Sequence, residues 1–121
     1  MITVIIDKDS DRNIRAMFIG GHAGYSEEGS DIICSAASTL VCTAVNSLEV
    51  IAGIPDYVSS EIKEDTGDGE VNAKIVIPEG LDAEAEKTAQ IIMRTVETGF
   101  ITLESAVNTG KKKYIELIES K

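Results

Sequence analysis

The first apolar residues of the chain alternate. Ile2, Val4 and Ile6 share a two-residue period, so residues 2–6 read as a β-strand. Ile14, Ala16 and Phe18 repeat that period and are expected on one face of a second strand. The polar run 7–13 between them reads as the turn of a hairpin. From Gly20 to Ser30 the period disappears. This stretch contains four glycines and reads as a loop. The spacing then becomes helical: Ile33, Ala37, Leu40, Val41, Ala44, Leu48 and Ile51 predict a helix of about six turns. Ser30 or Asp31 would cap it, and Gly53-Ile54-Pro55 would stop it. Residues 57–63 and 70–77 read as strands around a turn at residues 65–69. Asp82 opens a second helix, with Glu84 and Glu86 near its positive end. Its apolar stripe runs from Leu81 and Ala85 through Met93 and Phe100 to Val107. Residues 114–118 add a short edge strand. The predicted order is ββαββα, an α+β two-layer sandwich of two helices on a mainly antiparallel sheet.

Composition narrows the class. A chain of 121 residues supports one core, so residues 1–121 read as a single domain. The formal net charge is −10. Binding to nucleic acid or to an anionic membrane surface needs excess Lys and Arg, so direct nucleic-acid and membrane partners are not expected. A basic protein or peptide partner is compatible. Two cysteines are too few for a disulfide scaffold. With the single histidine they make a poor zinc site, so no metal and no cofactor is expected. Asp7, Asp9 and Asp11 imitate the start of a calcium loop, but Arg12 and Phe18 stand where its Gly and bidentate Glu belong. The apolar run at residues 1–7 is too short for a signal peptide, and no stretch is expected to reach the roughly 18 residues of a membrane span. The expected location is a reducing cytoplasm.

Cys34 and His22 carry the candidate chemistry. With Asp31 as the cap, Cys34 falls in the first turn of a helix. There unpaired N–H groups and the helix dipole favour the reactive thiolate. The same groups suit the oxyanion of a tetrahedral intermediate. His22 lies twelve residues earlier, just beyond a strand end, and a glycine-rich loop can fold imidazole back onto thiol. The bland readings are a cysteine buried as a small hydrophobe and a histidine in a turn. Cys42, mid-helix between Val41 and Thr43, reads as core. Asp31 is a cap or a carboxylate that orients the histidine. Ser38 is one turn beyond Cys34 on the same face and either touches the site or permits close packing.

Gly21-His22-Ala23-Gly24-Tyr25, followed by Gly29-Ser30-Asp31-Ile32-Ile33-Cys34-Ser35-Ala36-Ala37-Ser38, resembles the ribosomal-processing cysteine protease family, Prp. The resemblance covers nearly the whole chain, including a Lys113-Tyr114-Ile115 tail. It implies that His22 and Cys34 are catalytic and gives weight to a supporting role for Asp31; Ser38 stays a second-tier candidate from its spacing. It also makes Gly21, Ala23, Gly24, Tyr25, Gly29 and Ser30 the substrate loop. The substrate it implies is the N-terminal segment of a basic ribosomal protein precursor, large-subunit protein twenty-seven. It further implies a homodimer. Ser35 stands where alanine is common in the motif. The rival readings are a non-enzymatic dimeric binding module active in ribosome assembly, and a thiol redox sensor using Cys34.

Overall fold

A computed structural model describes residues 1–21, 30–62 and 71–120. The strands are β1 (Ile2–Lys8), β2 (Ile14–Gly21), β3 (Ser60–Ile62), β4 (Val71–Val76) and β5 (Ile115–Ser120). The helices are α1 (Ser30–Val50), α2 (Asp56–Ser59) and α3 (Ala83–Val107). The sheet order is β3-β4-β2-β1-β5. Three pairings are antiparallel, and β5 runs parallel to β1, which makes the sheet mixed. The architecture is α+β as expected, but the simple ββαββα order and the count of two helices are not. A one-turn helix precedes β3, and the edge strand expected at residues 114–118 follows α3 as Ile115–Ser120.

The extra helix replaces the first half of the strand expected at residues 57–63. Pro55 has φ −58, suited to a helix start, and its carbonyl accepts from both Val58 N–H and Ser59 N–H. Among the described residues of that segment, Ser60–Ile62 remains extended. The turn expected at residues 65–69 lies outside the described residues.

One face of the sheet carries α1 and α3. Ile2, Val4, Ile6, Met17, Ile19 and Ile75 pack there against Ala37, Val41, Met93, Val96 and Phe100, all buried. Phe18 is not on that face. Ala16 pairs with Asp7, yet Ile14 pairs with Lys8, so Arg15 is an extra residue in β2. This β-bulge breaks the two-residue period. Ile14, Met17 and Ile19 turn to the helices, while Ala16 and Phe18 turn to the open face. Phe18 is 37% exposed.

Helix α1 uses the predicted stripe from Ile33 to Leu48, while Ile51 lies past its end and is exposed; it ends in an αL cap, in which Gly53 N–H donates to Glu49 O with Gly53 at φ 74, and Ile54 N–H donates to Leu48 O. Cys42 is exposed, against expectation. One residue past buried Val41 is a rotation of about 100° around the helix, which carries the side chain outward. The expectation that no apolar stretch reaches spanning length also fails. Ile32–Val50 is long and apolar enough by length and composition, and a third of it is buried against the rest of the fold. Helix α3 starts as predicted: Asp82 accepts from Ala85 N–H at 2.8 Å.

Candidate active site

Topology gathers the candidate residues at one end of the sheet. β2 finishes at Gly21, which pairs with Ile2 at the start of β1 and with Val71 at the start of β4. β3 is antiparallel to β4 and therefore begins at the opposite end. Because α1 leads through α2 into β3, α1 ends at that opposite end and begins beside Gly21. α3 follows β4 and runs back, so its C-terminus returns to the same end. Gly21, the start of α1 and the turn after α3 thus lie toward the same end of the sheet.

Gly21 has φ +107, in the region that favours glycine. A Cβ there would also collide with the carbonyl oxygen of Met1. Two independent constraints thus fix glycine at the residue before His22. Met1 is itself tied down, since Ile2 N–H donates to Tyr114 O at 2.8 Å. Tyr114 is set in turn by Asn108. The Asn108 Oδ1 accepts from Tyr114 N–H and Ile115 N–H, and its Nδ2 donates to Ile115 O.

Helix α1 begins at Ser30, so Asp31 is its second residue and Cys34 its fifth. The reading of Asp31 as the residue just outside the helix is corrected, because its backbone is already helical. An acidic residue in the first turn remains favourable to the helix dipole. Cys34 is half-buried and packs against the core cluster. Cys34 thus sits one turn from the start of α1, where N–H groups have no partner within the helix. Ser38 is exposed one turn further on. Neither Cys34 nor Cys42 forms a disulfide. His22, Ala23, Gly24, Tyr25 and Gly29 lie outside the described residues, as do the side chains of Ser30 and Asp31. Among the described residues, no three His, Cys, Asp or Glu side chains converge as metal ligands.

Sequence reasoning missed Asn108, Met1 and the Gly20 neighbourhood. The Asn108-Thr109-Gly110 run was a turn signal in plain view, but its partner strand is β5, and that pairing depends on the whole sheet.

The family described as "Cysteine protease Prp" matches residues 1–115. The Ribosomal processing cysteine protease Prp of Bacillus subtilis is 32% identical over 104 residues, covering 86% of this chain and 88% of that protein. The protein of the same name from Staphylococcus aureus is 29% identical over 108 residues, or 89% and 92% of the two chains. Among solved structures, S. aureus Prp in complex with a covalently linked product peptide superposes with TM-score 0.68 at 26% identity, covering 99% of this chain and 100% of that one. SMU.848 from Streptococcus mutans has the same fold, with TM-score 0.72 at 24% identity over 99% and 96% of the chains.

Proposed function

The chain belongs to the Prp family and is a cysteine protease, and on that premise we propose that Cys34 and His22 form its catalytic dyad. The observation that carries this reading is the arrival of Gly21, directly before His22, at the end of the sheet where the turn holding Cys34 begins. His22 takes the Cys34 proton, and the thiolate attacks the scissile carbonyl carbon. Helix-start N–H groups stabilise the resulting oxyanion. His22 then gives its proton to the leaving amine as the C–N bond breaks, leaving a thioester on Cys34. Water, deprotonated by His22, hydrolyses the thioester and regenerates the thiol. Asp31 and Ser38, in the opening turns of α1, are the second-tier candidates for supporting the pair.

The substrate we propose is the N-terminal extension of large-subunit ribosomal protein twenty-seven. The Prp relatives are named for ribosomal processing, and one of them holds a substrate peptide. A chain of net charge −10 also complements a basic ribosomal protein. We further propose that the protein works as a cytoplasmic homodimer, on the strength of the family resemblance. The deciding experiment is cleavage of a peptide spanning the precursor junction by wild type, Cys34→Ala and His22→Ala. Loss of about 1000-fold or more in kcat/KM is expected from each substitution. Full turnover by Cys34→Ala would refute the protease mechanism and leave a binding module.

A further inference from the structure

The outer side of the helical layer is a broad surface without charge. On α1, Ile32, Ser35, Thr39, Thr43, Asn46 and Val50 recur at three- and four-residue spacing, opposite the buried Ile33, Ala37, Val41 and Leu48. All six are exposed, Ile32 by 74% and Val50 by 81%. The 21 residues of α1 include two charged ones, Asp31 and Glu49, both close to its ends. The second half of α3 continues the pattern. Beyond Arg94 its exposed residues include Thr95, Thr98, Ile101 and Thr102. Glu97 and Glu104 point the other way, to Lys8 of β1 and to Leu117 N–H of β5. Gly99 of α3 lets the helices approach, since a Cβ there would run into the Leu40 side chain of α1. The two strips therefore adjoin. Their threonine hydroxyls are already satisfied. Thr39 donates to Ser35 O at 2.8 Å, and Thr95, Thr98 and Thr102 each donate to the carbonyl one turn back at 2.7–2.9 Å. Burying these residues strands no donor, so drying this surface costs little.

We propose that this face packs against the same face of a second copy of the chain, about a twofold axis that crosses α1 near Cys42. The inference rests on the homodimer reading above and assigns its surface. Charge selects the occupant. Two chains of net charge −10 repel unless they meet where neither is charged, and this strip is such a place. A basic partner is drawn instead to the acidic surfaces, and an anionic membrane needs the Lys and Arg that the strip lacks. Lack of charge on both sides of α1 is also why Ile32–Val50 matches a membrane span in composition. Symmetry agrees with a second copy, because a twofold contact requires one patch to fit itself. The α1 strip is balanced about Val41. Ile32 and Val50 are equally far from it, as are the small Thr39 and Thr43, and Cys42 is exposed one residue away. Antiparallel α1 helices thus set each Ile32 beside the Val50 of the other copy, with small residues at the crossing. Two helices about 10 Å apart and about 30 Å long present about 600 Å² in projection, which side-chain relief brings near the roughly 800 Å² per partner of a standard interface. The open face of the sheet fits itself less well, because Asp7, Lys74 and Glu116 interrupt it.

The test is sedimentation velocity of the full chain over a concentration series. Wild type is expected at twice the 12.9 kDa chain mass. Thr43→Glu brings two carboxylates together near the axis and is expected to weaken the dimer about 100-fold or more. Glu is a better helix former than Thr and the position is exposed, so the variant keeps its fold, which circular dichroism checks. Thr43→Ala keeps the small side chain and is expected to stay dimeric. Phe18→Glu, beside Lys74 on the open face of the sheet, is expected to leave the dimer intact. In the Cys34→Ala background a short bis-maleimide is expected to join two chains through Cys42, and to join none once Cys42→Ser is added.

A wild-type dimer that survives Thr43→Glu, or that Phe18→Glu dissociates, would overturn this surface and leave the homodimer reading standing. A dimer in which Cys42 does not cross-link would overturn the axis placed there. A wild type that stays monomeric at every concentration would overturn both the surface and the homodimer. A monomeric wild type that sediments with vesicles of phosphatidylcholine and phosphatidylglycerol would assign the face to lipid and overturn both as well.

Discussion

The two ends of the sheet are held by different means. At the end away from the candidate site, side chains secure the backbone. Asp9 accepts from Asp11 N–H and Asn13 N–H and so closes the turn between β1 and β2, with Arg12 at φ 69. Gln90, buried on α3, accepts from Ile14 N–H at 2.7 Å and donates to Ile14 O at 2.8 Å. Arg15, the bulge residue, donates to both oxygens of Glu86 on α3. Lys8 bridges Glu97 and Glu119, and Arg12 reaches Glu119 at 2.6 Å. At the other end Gly21 lies against Met1, Ile2 N–H donates to Tyr114 O, and the uncharged Asn108 side chain holds Tyr114 and Ile115. The first end commits its carboxylates and guanidinium to the fold. The second fixes its backbone mainly through uncharged contacts, with Glu104 accepting from Leu117 N–H, and carries Cys34 in the opening turns of a helix.

The sharpest way to break this contrast is at Gly21. Gly21→Ala forces a β-carbon into the Met1 carbonyl and a side chain into a strained φ, a penalty of about 1–3 kcal/mol before the clash is relieved. The backbone can relax only by shifting the residue that precedes His22. We expect kcat/KM to fall at least about 30-fold, as that strain is transferred to the site. Gly21 acts here as a positioning residue, so a second readout is needed. The rate of iodoacetamide alkylation at Cys34 at neutral pH should fall toward that of His22→Ala. An unchanged rate would confine Gly21 to folding.

The same contrast explains which parts of the molecule the sequence made readable. Local signals were legible where one element decides its own shape. The Asp82 cap, the Gly53 stop and the apolar stripes of α1 and α3 all needed only neighbours a turn away. The strand face of Phe18 was not legible, because the bulge at Arg15 is stabilised by Glu86, 71 residues later in the chain. Exposure of Cys42 follows from which side of α1 meets the sheet, and Val41 next to it is apolar too. The proposed pairing of His22 with Cys34 was suggested by the loop between them. The meeting of Gly21 with Met1 needed the β1–β2 register, since nothing in either residue's immediate sequence refers to the other.

Gln90→Leu tests the secured end. The substitution keeps the volume but leaves Ile14 N–H and Ile14 O buried without partners. Each unsatisfied group costs about 1–3 kcal/mol. We expect a loss of about 3 kcal/mol in urea unfolding, with the slope of the transition unchanged. Activity of the folded fraction should remain near wild type. A fall in kcat larger than the loss of folded protein would mean that the two ends are coupled through α3, which starts at one and finishes at the other.

Glu119 gives the smallest and most diagnostic effect. Its partial burial pushes the carboxyl pKa up, but the hydrogen bond and charge of Lys8 and the nearby Arg12 outweigh this and leave it below the usual 4.5. A carboxylate with a lowered folded pKa stabilises the protein above its unfolded pKa, and that contribution disappears as pH falls through the folded value. Glu119→Gln should therefore lower the melting temperature slightly at neutral pH, by about 1–2 °C for an exposed pair. The difference should shrink below pH 4.5 and at high salt. Because Glu119 is at the end of β5 opposite the site, cleavage at neutral pH should be unaffected. A difference in melting temperature that persists in acid would assign the stabilisation to packing of the Glu119 stem rather than to its charge.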